Sequence, residues 1–229
     1  MFLSSAVRSG AASGGFGVCA TVEGTLQVRR NDPNLNPDFS EAHLFYCLGR
    51  NHGRTCGNVI GNPPSPEPNG GWWPGGALDE FERTGVADEA CFPYASPASP
   101  SDPTLPCTVC EDWSNRVTKI SSWTVLSAAD QMKAWISGGH GPLVAAFTVY
   151  QDFTSYFQNN HDAAAIYRKS SNPGSLLGGH CISVVGYSDD DKCWICKNSW
   201  SSFWAASGFF KIAYGEVGID SYMWGVDIS

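Results

Sequence analysis

The 229 residues predict an α+β fold of two packed lobes, helical first and β-rich second, and three observations carry that prediction. Every readable element before about residue 90 has helical periodicity or a helix cap. Beyond a last helix near 127–139 the pattern changes to short apolar, β-branched and aromatic runs, which are strand signals. A hydrophobic content of 42% with nine Trp is ample for a sizeable core in one large domain or two small ones sharing an interface. No internal repeat interrupts this order.

The first helix is predicted over 16–30, within "SGGFGVCATVEGTLQVRR", with Ser13, Gly14 and Gly15 at its start. A second follows in "SEAHLFYC", with Ser40 as N-cap, because a serine oxygen can accept a free N–H of the first turn. "GGALDEFERTG" is apolar at 77, 78 and 81 and is closed by Gly85, a residue suited to the left-handed position after a helix. The Pro/Gly/Ser-rich stretches 49–76 and 94–107 carry scattered Cys and Trp, so they are expected to be ordered surface loops. "SAADQMKAWISGG" opens with Ser127…Asp130, in the manner of a capping box. The strands are expected in "LVAAFTVY", "HCISVVGY", "CWICKNSW", "GFFKIAYG" and "SYMWGVDI". These elements place the helical lobe at 1–115 and the β-rich lobe at 116–229.

Charge and cysteine usage narrow the function classes. The net charge is −8 and no Lys/Arg cluster exceeds a pair such as Arg29-Arg30, so nucleic acid is not an expected partner. No apolar run approaches the roughly 20 residues of a membrane span, and "MFLSSAV" is too short for a secretory leader. Of nine cysteines, those at 47, 56, 91 and 107 lie in or beside loop-like sequence, where disulfides staple. That usage favours an oxidising compartment: extracellular, periplasmic or lysosome-like. Cys107-x-x-Cys110 and Cys193-x-x-Cys196 have a zinc-like spacing, but residues three apart on a strand face opposite ways, so the second pair makes a poor chelate. No metal and no cofactor are expected.

Ligand sites tend to lie between lobes, and three polar residues are candidates to meet there. Ser13 starts a helix, His180 starts a strand after Gly178-Gly179, and Asn198 ends another strand in "KNSW". Taken singly, they read as a helix cap, a solvated edge histidine and a turn residue. Together they form a set of nucleophile, base and orienting group.

"GGHCISVVGYSDDDKCWICKNSWSSFWAASGFFKIAYG" resembles the His and Asn region of the papain-like cysteine peptidases, with a His opening a strand that ends in Gly-Tyr, then Lys-Asn-Ser-Trp and a further Trp. "TVEGTLQVRR…SEAHLFYC" resembles the family's central helix and its Ser-Glu-x-x-Leu helix ending in Cys. "NGGWWPGGALDEF" resembles the Asn-Gly-Gly substrate loop, and "CFPY" the turn beyond it. The resemblance covers residues 13 to about 225. It implies a papain-like fold with a β-barrel-like second lobe, peptide-bond hydrolysis and an extended peptide or protein substrate. A propeptide or protein inhibitor is a further implied partner, and the chain is expected to be a monomer.

Counting back without a gap from Thr21-Val22-Glu23-Gly24 puts the family's catalytic Cys position on Ser13. Serine is far less acidic than a thiol, so no ion pair forms beforehand, and His180 would have to remove the proton during attack. The position of the family's oxyanion-donating Gln is Val7, and loss of one such donor can cost about 10²–10³ in rate. Gly14 and Gly15 replace the family's Trp and Ala, which is expected to loosen the helix start by roughly 0.5–1 kcal/mol each. Against the resemblance, the family's N-terminal strand and propeptide are expected to be absent ahead of Ser13.

Two family disulfides are expected to be lost in pairs, one at Gly10 and Pro68, another near Gly174 and Val217. A staple from Cys47 remains open, with Cys91 or Cys107 as partner. Cys19 lies about 240° around the helix from Ser13 and reads as a small core residue.

Binding residues are better preserved. Asn69, Gly70 and Gly71 match the loop whose backbone pairs with extended peptide, and Trp72, Trp73, Ala146, Gly179 and Tyr222 lie near the family's apolar pocket. Trp200 and Trp204 resemble the aromatic cover over the His–Asn hydrogen bond. Three functions fit: an impaired cysteine-type endopeptidase lineage, a non-catalytic peptide-binding pseudo-peptidase, or a serine-type hydrolase on the same scaffold.

Overall fold

A computed structural model describes residues 13–49, 72–94, 110–158 and 160–229. Helix α1 spans Ser13–Arg30, three residues earlier than predicted. Arg29 and Arg30 complement the negative helix end, and Asn31 turns left-handed at φ 48°. The N–H groups of Asn31 and Asp32 then donate back to Val28 and Gln27, which satisfies carbonyls the helix would otherwise leave free.

Ser40 caps the next helical segment: its Oγ accepts the His43 N–H at 2.9 Å and donates to the Phe92 carbonyl. That segment widens to a π-helix over His43–Cys47. Helix α2, Pro74–Arg83, starts on a proline preset for the first turn and stops at Gly85, whose φ is +84°. The short pair β1, Val86–Ala87, and β2, Val117–Thr118, follows.

Strand β3 is Ser122–Leu126 and helix α3 is Ala129–Ser137. Its N-cap is Ala128 with no side-chain cap bond, so the Ser127…Asp130 box is not formed. Then come β4 (Leu143–Tyr150), α4 (Gln151–Gln158), β5 (Ile166–Tyr167), β6 (Leu176–Ser188), β7 (Cys193–Lys197), β8 (Phe209–Ala213) and β9 (Met223–Asp227).

The sheet order is β3-β9-β4-β6-β7-β8-β5, antiparallel except for the β5–β8 pair. It is an open sheet and not a closed barrel: among the described residues β3 pairs only with β9 and β5 only with β8, so both remain edges.

Strands β4, β6 and β9 explain why two cores form. Successive side chains on a strand face opposite ways. Val144, Cys181 and Trp224 therefore enter a core with α1 and α2, whereas Ala145, Ile182 and Met223 enter a second with α3 and α4. The continuous apolar run "LVAAFTVY" reflects cover on both faces. Helix α1 lies so close to β6 that a Cβ on Gly17 would stand 2.5 Å from Cys181 Sγ. Thr21 Oγ1 and Ser183 Oγ seal this contact with a buried 2.9 Å hydrogen bond.

Cys91 pairs with Cys110, which removes Cys91 from the two partners expected for Cys47; the other, Cys107, lies outside the described residues. The two Cα atoms are 5.1 Å apart, within the span a disulfide needs. Cys47 is also disulfide-bonded, to a partner outside the described residues. Cys19, Cys181, Cys193 and Cys196 are free and buried.

Candidate active site

The α1–β6 contact brings the N-terminus of the helix to the middle of the sheet. Ser13 is buried there, and its Oγ accepts the N–H of Cys181 at 3.2 Å. The residue before Cys181 is His180, paired in the sheet with Phe147. His180 Nε2 lies 2.8 Å from Asn198 Oδ1. That oxygen also accepts the Ser199 N–H at 2.8 Å. Both bonds need an oxygen at this end of the amide, so Nε2 is the donor and the ring's proton sits there.

Aromatic rings close around this pair. Trp200 lies 4.9 Å from the His180 ring and Phe147 meets it edge-on at 5.7 Å. Trp204 touches Trp200 at 5.0 Å and packs on Phe157 at 5.0 Å, so it supports the cover from behind. Burial pulls His180 down to about 4, with the Asn198 bond opposing the shift. At neutral pH the imidazole is therefore neutral. A neutral ring can take a proton from an adjacent hydroxyl, which is the form a serine nucleophile requires.

The Asn69, Gly70 and Gly71 loop and Val7 lie outside the described residues. Trp72, which follows that loop, is buried in the first core, whereas Trp73 is 59% exposed with its ring edge-on to Trp224 at 5.1 Å. The exposed tryptophan is thus the second of the two. Gly179 faces open space, where an added Cβ would meet nothing within 4 Å, and Tyr222 is exposed.

Gly14 has a use beyond loosening the helix: a Cβ there would stand 2.4 Å from the Trp72 carbonyl oxygen. The glycine lets the chain at Trp72 press on the helix start. Cys19 is fully buried, and burial together with Glu41 and Glu23 holds its thiol well above the usual range. It is a core residue.

Sequence reasoning gave no role to Glu23, Glu41, Lys197 or Ser199, which line a cavity with Asn198. The available signal was Glu23 itself, a charge inside the buried part of a helix. Among the described residues no three His, Cys, Asp or Glu gather to hold a metal.

Known proteins resemble this chain in sequence and in fold. The sequence model described as papain family cysteine protease matches residues 10–225. "Cathepsin B-like CP3" of Giardia intestinalis is 35% identical over 167 residues, 69% of this chain and 52% of that protein. "Gut-specific cysteine proteinase" of Caenorhabditis elegans is 29% identical over 217 residues, 89% of this chain and 59% of that one. The chain therefore spans little more than half the length of these relatives. Among solved structures, proCathepsin B S9 from Trypanosoma congolense superposes with a TM-score of 0.67 at 25% identity, over 94% of this chain and 68% of that one.

Proposed function

The chain belongs to the papain family of cysteine proteases, and we propose from that premise that it is a peptidase domain whose catalytic activity is impaired because Ser13 stands in the nucleophile's place. His180 is the base and Asn198 the orienting group, with the 1–115 and 116–229 lobes supplying opposite sides of the cleft. One observation carries this reading: Ser13 Oγ is bonded to the N–H next to His180 while His180 is bonded to Asn198.

The substrate is an extended peptide or protein. Gly70 and Gly71 pair with its backbone, and the exposed Trp73 and Tyr222 offer apolar surface for a side chain. The Trypanosoma neighbour is a procathepsin, which supports a propeptide as a further partner. A non-catalytic peptide-binding role follows if the hydroxyl never reacts.

A Ser13→Cys variant tests the assignment. The new thiol should react with a peptidyl alkylating reagent far faster than Cys181, whose burial pushes its pKa up to about 12. At that value only on the order of one thiol in 10⁵ is ionised at neutral pH. Peptide cleavage should rise above the Ser13 protein, and Val7→Gln added to it should raise cleavage more than labelling. A thiol at position 13 no more reactive than an exposed cysteine would remove Ser13 from the nucleophile's role.

A further inference from the structure

Behind the His180–Asn198 pair, between α1, the Ser40-capped segment and β7, lies a cavity of ≈ 210 Å³ lined by Glu23, Glu41, Lys197, Asn198 and Ser199. Asn198 is 8% exposed. Its Oδ1 is fully used by His180 and Ser199, yet its Nδ2 has no acceptor among the described residues. An amide nitrogen brings two N–H donors, and a buried donor left unmet loses the hydrogen bonds water gave it in the unfolded chain. We propose that this cavity is a built water site through which Glu23 and Glu41 hold the amide of Asn198, making the two glutamates positioning residues for the His180 base.

The chemistry of the lining supports the assignment. Ionised carboxylates only accept hydrogen bonds, so water between them and Nδ2 can donate to a carboxylate while accepting from the amide. The volume holds several waters, and a buried water makes about three such bonds. One oxygen of Glu23 takes the Phe39 N–H at 3.0 Å, which fixes that side chain and leaves its other oxygen for the cavity.

Glu41 stands just after the Ser40 cap, where its own backbone N–H favours the ionised carboxyl. Burial pushes Glu23 up to about 7, with the Phe39 N–H and Lys197 opposing the shift and Asp38 and Glu89 adding to it; burial pushes Glu41 up to about 8, with Glu23, Glu89 and Asp38 adding to it. The cavity therefore gains negative charge across that range, well above where His180 titrates.

This inference rests on the reading of His180 and Asn198 as base and orienting group. Its test does not depend on Ser13. In the full chain, followed by ¹H–¹⁵N NMR, the Asn198 side-chain amide protons should shift with a midpoint between about 7 and 8, set by the cavity carboxylates. Glu23→Gln with Glu41→Gln should abolish that titration while the His180 ring nitrogens still report a proton on Nε2.

If the double variant does not fold, Glu41→Gln alone should displace the midpoint. An amide signal that stays flat from about pH 6 to 9, or that titrates unchanged in the variants, overturns the proposal. Poor labelling of Ser13→Cys with a titrating Asn198 would remove the nucleophile and leave the positioning role. Normal labelling with a flat Asn198 would do the reverse.

Discussion

On the sheet side of the cleft, His180 is fixed by a strand, by Asn198 and by the faces or edges of Trp200 and Phe147. On the helix side, Ser13 opens α1 beside Gly14 and Gly15, with the Trp72 carbonyl pressed against the first of these. In the proposed reading the sheet side keeps the base and its orienting residue, and the helix side departs from the family resemblance at the nucleophile position and its neighbours. His180 and Asn198 are placed by a sheet that the fold needs in any case. The proposed nucleophile depends on one side chain, which can change while the fold stands.

The largest expected effect bears on the sheet side. In a Ser13→Cys background, His180→Ala should lower peptide cleavage by about 10²–10⁴, the usual worth of a positioned base. Steady-state kinetics with a fluorogenic peptide would show it, and a loss below tenfold would mean that the two sides do not work together.

Next in size is the staple of the helical part. Cys91 and Cys110 are 19 apart in sequence, so removing both, as Cys91→Ser with Cys110→Ser, should cost about 3 kcal/mol in chemical denaturation. His180–Asn198 bonding should survive in the folded fraction, because that pair sits on the sheet.

A matched pair of glycines sharpens the contrast further. Gly14→Ala must displace the Trp72 carbonyl from 2.4 Å, an overpacking cost of about 1–3 kcal/mol. Gly179→Ala meets nothing within 4 Å and should stay within about 0.5 kcal/mol of the parent. Equal melting shifts for the two would contradict the tight helix start.

A pH dependence tests the comparison from another direction, because the two sides pull in opposite directions. His180 is held near 4 against an ordinary 6.5, so the unfolded chain binds the extra proton between these values and stability falls as pH drops through them. Glu23 and Glu41 are raised from 4.5 to about 7 and 8, so the folded chain keeps protons the unfolded chain has lost, and stability falls as pH rises from 4.5 through those values. Burial lowers His43 as well, so below 6.5 two imidazoles oppose the two carboxyls, and above 6.5 the carboxyls act alone. The unfolding temperature should therefore decline from about pH 6.5 to 8, and Glu23→Gln with Glu41→Gln should flatten the decline.

What the sequence determined by itself was whatever local chemistry dictates. Ser40 could be read as a cap because a serine oxygen serves N–H groups only a turn away, and Gly85 as a stop because the left-handed turn after a helix is cheap for glycine. The strand holding His180 and the one that ends just before Asn198 were legible from short β-branched and aromatic runs, and the order of Ser13, His180 and Asn198 gave the site its candidates.

Helix α4 was not legible, because its aromatic residues Phe153 and Phe157 gain meaning only against Phe147, Tyr167 and Trp204. Nor was the choice of Trp73 over Trp72 as the exposed ring, which depends on how the loop meets α1. The Cys91–Cys110 pairing and the joining of Glu23, Glu41 and Asn198 around one cavity are of the same kind. Each unites residues distant in the chain, and burial, which sets both their partners and their proton affinities, exists only once α1 has packed onto the sheet.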